Sequence, residues 1–374
     1  MKIAINCRLL IPGKLEGIGF FTFELLRRWV DNYPEHEFVL LFDRRTDGMG
    51  LKRSNVKIVE IFPSARHPVL YKIWFDYRLP RILKRERADL FFSPEPLTTL
   101  RWSGPKVITV HDLAYIHFPS ILRSVDLAYR QKYMPKFLHQ ADSIITVSDF
   151  TRQDLGTRFR ELEAPVYVVS NGCRAVFRRR SEEEVKGFRA TNTEGKPYFF
   201  YYGSLNARKN IANLLRAFEA FKKEHGSDHL MVLGGHKGWK TNEMMKVYRQ
   251  HSFKEDIRFT GYLEDEHLSD WLGAATALTY VSRFEGFGLP VLEAMRSGVP
   301  VITSRKSSME EIAGDHAFYV TPDYVDSIAN RMKFVVSEKG KVAERLEAAY
   351  QKSFHYNWDD TAQAAFEVLK QTAQ

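Results

Sequence analysis

Along the chain, short runs of β-branched and aromatic residues alternate with longer segments whose apolar residues recur every three or four positions. KIAIN at residues 2–6 reads as a first strand, followed by the loop IPGKLEGIG and the helical segment FFTFELLRRWV. FVLLF, VKIVE, ADLFFS, KVITVHD and SIITVSD come next as strand-sized runs ended by polar or turn residues, and VYVVSNG closes the set near residue 172. A second series starts with YFFYYGS and the helix NIANLLRAFEAFKKEH, then continues through LMVLGG, IRFTGY, ATALTYVS, PVITS and AFYVT. Strands alternating with helices in this way predict parallel sheets. Between the series, RAVFRRRSEEEVKGFRATNTEGKP is polar and lacks a clear core pattern, so it reads as a crossover between domains. The last segment, WDDTAQAAFEVLKQ, is amphipathic, with Ala362, Ala365, Phe366 and Leu369 on one side. The expected fold class is α/β: two doubly wound, Rossmann-like halves with ligands at the carboxyl ends of strands facing a cleft.

A length of 374 residues allows two separate cores. The apolar runs are too short to span a bilayer, and MKIAINCRLL lacks the apolar core and cleavage site of a signal peptide. A mature first strand in a cytoplasmic protein is the expectation. Cys7 and Cys173, the only cysteines, support neither a disulfide framework nor a zinc site and read as packing residues. The net charge of +9 points to a polyanionic partner: nucleic acid, anionic lipid or a phosphorylated substrate. No zinc-finger spacing, RNP-like motif or basic heptad array is present, which argues against nucleic acid. Tyr71, Trp74 and Tyr77 have helical spacing, with Arg78, Arg81, Lys84, Arg85 and Arg87 just after them. Residues 71–87 therefore read either as a peripheral contact with anionic membrane or a lipid-linked acceptor, or as a helix with a solvated basic face and a buried aromatic stripe.

RFEGFGLPVLEAMRSGVPVIT, residues 283–303, concentrates the chemistry. Pro290 suits the first helical position and Gly298 the far end, so PVLEAMRS is a short helix preceded by the loop RFEGFGL. The amides of Gly286, Phe287, Gly288, Leu289 and Val291 would then form an anion site at the helix start. Glu293 in the first turn could accept from ribose hydroxyls, and Glu285 in the loop from a transferred sugar. A bare pair of carboxylates also reads as a solvated loop residue and a helix-dipole partner. Arg208 and Lys209 follow the strand YFFYYGS and precede a helix, where two cations can neutralise a diphosphate without a metal. Cations at a helix start oppose its dipole, a local conflict that hints at function. No D-x-D pair is present and LEDEH reads as a solvated turn, so no metal is implied. GGHKGWKT at 234–241 misses the adjacent G-K-[ST] of a Walker site.

Taken together, E-G-F-G-L-P-V-L-E-A-M, GSLNARKNIANLLRAF, YLEDEHLSDWLGAATALTYVSRFEGFG, VHDLAYIHFP and ITVSDFTRQDL resemble the retaining GT-B glycosyltransferases of family 4 over essentially the whole chain. The overall look, with the W-D-D-T-A helix, is similar to bacterial mannosyltransferase-like members. The resemblance implies an acceptor domain over residues 1–178, a nucleotide-sugar donor domain over 179–353, and a C-terminal helix, 354–374, returning to the first domain. It implies that Arg208 and Lys209 bind the donor diphosphate, that Gly17 and Gly19 belong to a loop closing on the phosphates, and that His111 contacts the transferred sugar or acceptor. Tyr262 and Leu263 would offer backbone groups to the nucleobase, Gly203 and Asn206 would shape the same wall, and GGHKGWKT would lie on the nucleotide side. The implied activity is a metal-independent, cofactor-free transfer of a hexose, with mannose from GDP-mannose favoured over a UDP-linked sugar, to a glycan or lipid-linked acceptor in bacterial surface polysaccharide synthesis. The acceptor would attack from the leaving-group face, with a donor phosphate oxygen taking its proton. An epimerase of the same fold and a nucleotide-sugar-binding protein without turnover are the alternatives.

Overall fold

A computed structural model describes every residue except Lys14, Glu16 and 237–241, so GGHKGWKT lies largely outside the described residues. The chain forms two compact units, Met1–Gly172 with Asn357–Gln374, and Cys173–Tyr356.

The first unit is built on a parallel sheet of β1 (Lys2–Asn6), β2 (Glu37–Phe42), β3 (Val56–Glu60), β4 (Leu90–Ser93), β5 (Lys106–Val110), β6 (Ser143–Thr146) and β7 (Val166–Val168), in the order β3-β2-β1-β4-β5-β6-β7. Helices cover both faces, so the central strands are mainly apolar: Ile3, Ala4, Ile5, Leu90, Phe91, Val107 and Ile108 are all fully buried. The strand order reverses between β1 and β4, the place where such sheets open a crevice at their carboxyl ends. The C-terminal helix Trp358–Ala373 belongs to this unit. Its apolar side, with Ala362, Ala365, Phe366 and Leu369, is buried. Trp29 Nε1 donates to Ala362 O at 2.8 Å, and the Phe366 ring stacks 3.7 Å from that of Tyr33.

The second unit carries β8 (Tyr198–Tyr202), β9 (Leu230–Gly234), β10 (Ile257–Gly261), β11 (Ala277–Tyr280), β12 (Val301–Ser304) and β13 (Phe318–Val320), also parallel, in the order β10-β9-β8-β11-β12-β13. Here the order reverses between β8 and β11. The polar crossover is more structured than its composition suggests. Glu182–Thr193 is a helix with a full capping box, Ser181 accepting from the Glu184 amide and Glu184 accepting from the Ser181 amide. The second unit begins ahead of residue 179 because Arg174 is held by Asp265 and Glu293 of that unit.

Candidate functional site

At the carboxyl ends of β8 and β11, three of the sequence-selected residues meet. Glu285 is 7% exposed, and its two oxygens face Arg208 Nη1 at 2.8 Å and Lys209 Nζ at 2.6 Å. Lys209 also donates to the Tyr280 hydroxyl, Arg208 to Phe284 O, and Ser308 Oγ to Glu285 O at 2.7 Å. Burial alone would raise the Glu285 pKa; the Arg208 and Lys209 charges outweigh it and hold the carboxyl down at about 2. The solvated-loop reading of Glu285 is thereby excluded. Tyr280 is pushed well above the usual tyrosine range by burial and by the Glu285 charge, so it stays a neutral hydroxyl between the charges.

The two cations precede a helix, as the sequence suggests, but on a turn of their own. Ala207–Lys209 is a separate 3-10 turn, capped by the Asn206 side chain accepting from the Lys209 amide at 3.3 Å. Asn210 then takes a left-handed φ of 62° and donates from Nδ2 to Val281 O (3.2 Å) and Pro322 O (2.6 Å), and the helix Ile211–His225 starts beyond it. The conflict with the helix dipole is relieved because the cations stand on their own turn, steered by Asn210 toward the end of β11.

Glu293 is engaged differently from expectation. The helix runs Leu289–Arg296 with Gly288 as N-cap and Pro290 in its first two positions, so Glu293 falls beyond the first turn. It is 1% exposed, accepts from Arg174 Nε at 2.8 Å on one oxygen and from the Tyr202 hydroxyl on the other. Arg174 bridges on to Asp265, which opens the helix Asp265–Gly273, so LEDEH is solvated as expected, with Glu264, Glu266 and His267 exposed, but is a helix start tied to the site through Asp265. Glu293 anchors Arg174 and Tyr202 rather than standing open at a helix end. The Val291 amide is likewise taken, donating to Gly288 O at 2.9 Å, so it is not part of the expected anion site. Gly288 has φ 105°, and a Cβ there would lie 3.1 Å from Met309 Cγ.

Beside this cluster the ends of β8, β9 and β10 form a wall of bare backbone. The Gly203 amide donates to Gly234 O (3.0 Å) and the Gly235 amide to Gly261 O (2.6 Å). A Cβ on Gly235 would lie 2.0 Å from Gly203 O, so only glycine fits. Tyr262 is exposed and stacks on His236 with centroids 5.2 Å apart and planes 11° from parallel, and Leu263 reaches to within 3.5 Å of the Cβ position on Gly234.

In the first unit His111 follows β5. Its Nε2 lies 2.8 Å from Pro94 O, its ring meets Phe21 edge-on at 5.0 Å, and burial holds its pKa below the usual histidine range. The carboxyl ends of β1 and β4 meet in a buried network, with Arg8 clamped on Glu95 and Asn6 Nδ2 donating to Glu95 Oε1 at 2.8 Å. Gly17 and Gly19 are not loop residues: the helix Gly17–Asn32 begins with them. Gly19 serves packing, since a Cβ there would sit 2.5 Å from Leu9 O.

The second unit thus brings two cations and one carboxylate to one strand end, with a glycine backbone wall alongside. That arrangement can hold a polyanion by the charge of Arg208 and Lys209, with neutral tyrosine hydroxyls completing the hydrogen bonding. Arg174, Tyr202 and Tyr280 escaped the sequence reading. Tyr202 and Tyr280 close apolar strand runs and look like core aromatics, though their position at a strand's carboxyl end was a usable signal; Arg174 was absorbed into a charged crossover and gave none.

Comparison with known proteins matches residues 15–175 to Glycosyltransferase Family 4 and residues 183–353 to Glycosyl transferases group 1. The chain is 31% identical over 340 residues to O-antigen chain mannosyltransferase B of Escherichia coli, covering 85% of this chain and 86% of that protein. It shares its fold with sucrose-phosphate synthase from Thermosynechococcus elongatus (TM-score 0.79, 15% identity, 99% and 98% of the two chains covered). HepE of Anabaena, solved in complex with UDP and glucose, superposes with a TM-score of 0.76 at 16% identity over 99% of this chain and 100% of that one. Two doubly wound units, each matched by its own half of one family and joined in a GT-B fold, make this chain a member of glycosyltransferase family 4, the glycosyl transferases group 1.

Proposed function

We propose that the protein transfers a mannosyl group from GDP-mannose, with retention of anomeric configuration, to a glycan or lipid-linked glycan in bacterial surface polysaccharide synthesis. The observation that carries the reading is the buried Arg208–Lys209–Glu285 cluster at the reversal of the second sheet. A nucleotide diphosphate offers anionic oxygens that compete with Glu285 for the two cations. As the bond from the sugar's anomeric carbon to the diphosphate breaks, negative charge grows on the leaving oxygen, where Arg208 and Lys209 stabilise it. The acceptor hydroxyl forms the new bond to the anomeric carbon, and its proton passes to the departing phosphate oxygen. Glu285, displaced from full pairing with the cations, holds sugar hydroxyls as a charge-assisted acceptor. The cation pair takes the role a metal would otherwise serve, so the reaction proceeds in EDTA. The mannosyl assignment is supported by the similarity to O-antigen chain mannosyltransferase B.

Thermal denaturation with GDP, UDP and ADP in EDTA tests the donor, because a ligand bound only by the folded chain raises its melting temperature. A shift with GDP, followed by mannose appearing on an added glycan acceptor with retained configuration, is the expected result. A shift with UDP alone overturns the donor. Sugar epimerised without any acceptor, or donor bound with no turnover on any acceptor, overturns the transfer.

A further inference from the structure

Among the described residues no helix is long and apolar enough to cross a membrane. One helical stretch nevertheless shows the wrong residues to water. Pro68–Lys72, the π turn Ile73–Arg78 and Leu79–Glu86 run on without a break until Arg87 ends them in a left-handed conformation. Trp74, Phe75, Leu79 and Leu83 fill the core, and Trp74 Nε1 donates to Ile61 O at 3.1 Å. Of the aromatic triplet in the sequence, Trp74 is buried and Tyr71 half-buried, so the lipid-facing set suggested by spacing alone is not the exposed one. The residues presented to solvent are Val69, Ile73 and Tyr77, four apart, at 61%, 36% and 39% exposure.

The charges around this stripe are as one-sided as its polarity is inverted. Residues 62–88 hold seven lysines and arginines against two acids, a large part of the chain's net +9. Both acids are buried and already paired, Asp76 with Lys72 and Glu86 with Lys57 and Arg85. The exposed cations continue the stripe at its two ends: Arg66 before Val69, then Arg81 and Lys84 after Tyr77. An apolar centre about 12 Å long, at 1.5 Å per helical residue, is therefore capped by positive charge at both ends.

We propose that this face of the first unit docks on an anionic phospholipid surface, with Val69, Ile73 and Tyr77 entering the headgroup–acyl boundary and the flanking cations meeting lipid phosphates. The apolar residues select this partner. A solvated polyanion such as nucleic acid would satisfy the arginines but leave Val69 and Ile73 in water, and a second copy would bring two positive faces together. A bilayer interface satisfies both features, and Tyr77, with the Arg101 guanidinium 4.3 Å over its ring, has the amphipathic form favoured at that depth. This inference stands independently of sugar transfer.

The test is co-sedimentation of the full chain with vesicles of phosphatidylcholine alone and of phosphatidylcholine with phosphatidylglycerol. Binding to the anionic vesicles, weakened by salt, is expected. The double change Arg81→Gln and Lys84→Gln should lower the partition about twenty-five-fold, at about fivefold per cation. Ile73→Ser should lower it about tenfold. All these positions are exposed, so melting temperatures should match the parent and separate lost binding from lost folding. Absent binding to anionic vesicles, or equal binding to neutral ones, overturns the proposal. So does an Ile73→Ser variant that binds like the parent, because that result describes adsorption of a basic patch to any polyanion.

Discussion

Replacing Glu285 by Gln keeps the side-chain volume and one carbonyl oxygen but removes the charge that compensates Arg208 and Lys209. The carboxyl is held at about 2 against an ordinary 4.5, a gap that corresponds to ~3 kcal/mol of folding stability at neutral pH. Removing one partner of a buried ion pair costs a similar amount, about 3–5 kcal/mol, because the other charge is left uncompensated. In a unit of this size the melting temperature should fall by about 6–12 °C. The sign with pH follows from the depressed pKa. The stabilisation is fully present above 4.5 and is lost as pH falls through about 2, so the deficit of Glu285→Gln against the parent should narrow on acidification. If the cations are a diphosphate site, GDP supplies the missing negative charge, and it should raise the melting temperature of the variant more than that of the parent. Transfer should fall at the same time, since the sugar loses its acceptor. Calorimetry at neutral and acid pH with and without GDP reads all three effects. A variant that melts within ~1 °C of the parent at pH 7 would refute the electrostatic argument; a smaller GDP shift in the variant would refute the diphosphate assignment.

Further expectations concern neighbouring features. Tyr202→Phe deprives Glu293 of its hydroxyl donor and should cost ~1.5–3 kcal/mol in urea unfolding, with weaker GDP binding as Arg174 and Glu293 relax. Gly235→Ala forces a Cβ to within 2.0 Å of Gly203 O at a φ of 122°, and should cost ~3 kcal/mol or more, visible as a lower melting temperature and poor soluble yield. His229 is stacked on Phe199, and burial lowers its pKa from 6.5 to about 4. Its neutral form favours the folded state above 6.5, and the protein loses ~3 kcal/mol as pH falls to about 4. His229→Phe should flatten melting temperature against pH over that interval; an unchanged slope would assign the acid sensitivity elsewhere.

The sequence by itself determined the secondary structure of both sheets. Each strand-sized run marked along the chain is a strand: in the central strands burial on both faces writes a run of consecutive apolar residues, while β3, β7 and β10 carry exposed positions and are marked by their β-branched and aromatic content. It also marked Arg208 and Lys209 by their place between a strand and a helix and Glu285 by the glycine loop before Pro290, while Gly203 came from the family resemblance. Only the tertiary structure decided what those residues touch. Lys209 and Glu285 are 76 positions apart, and Arg174 and Glu293 are 119 apart; both pairings depend on which strands lie next to each other. Strand order brings the ends of β8 and β11 together, and no periodicity in either run encodes that neighbour. Helical spacing likewise grouped Tyr71, Trp74 and Tyr77, but the sheet beneath them set the rotation of the helix, burying Trp74 and turning Val69, Ile73 and Tyr77 outward. Local pattern reports how a segment is built. The direction it faces is set by partners far along the chain, which a one-dimensional period does not contain.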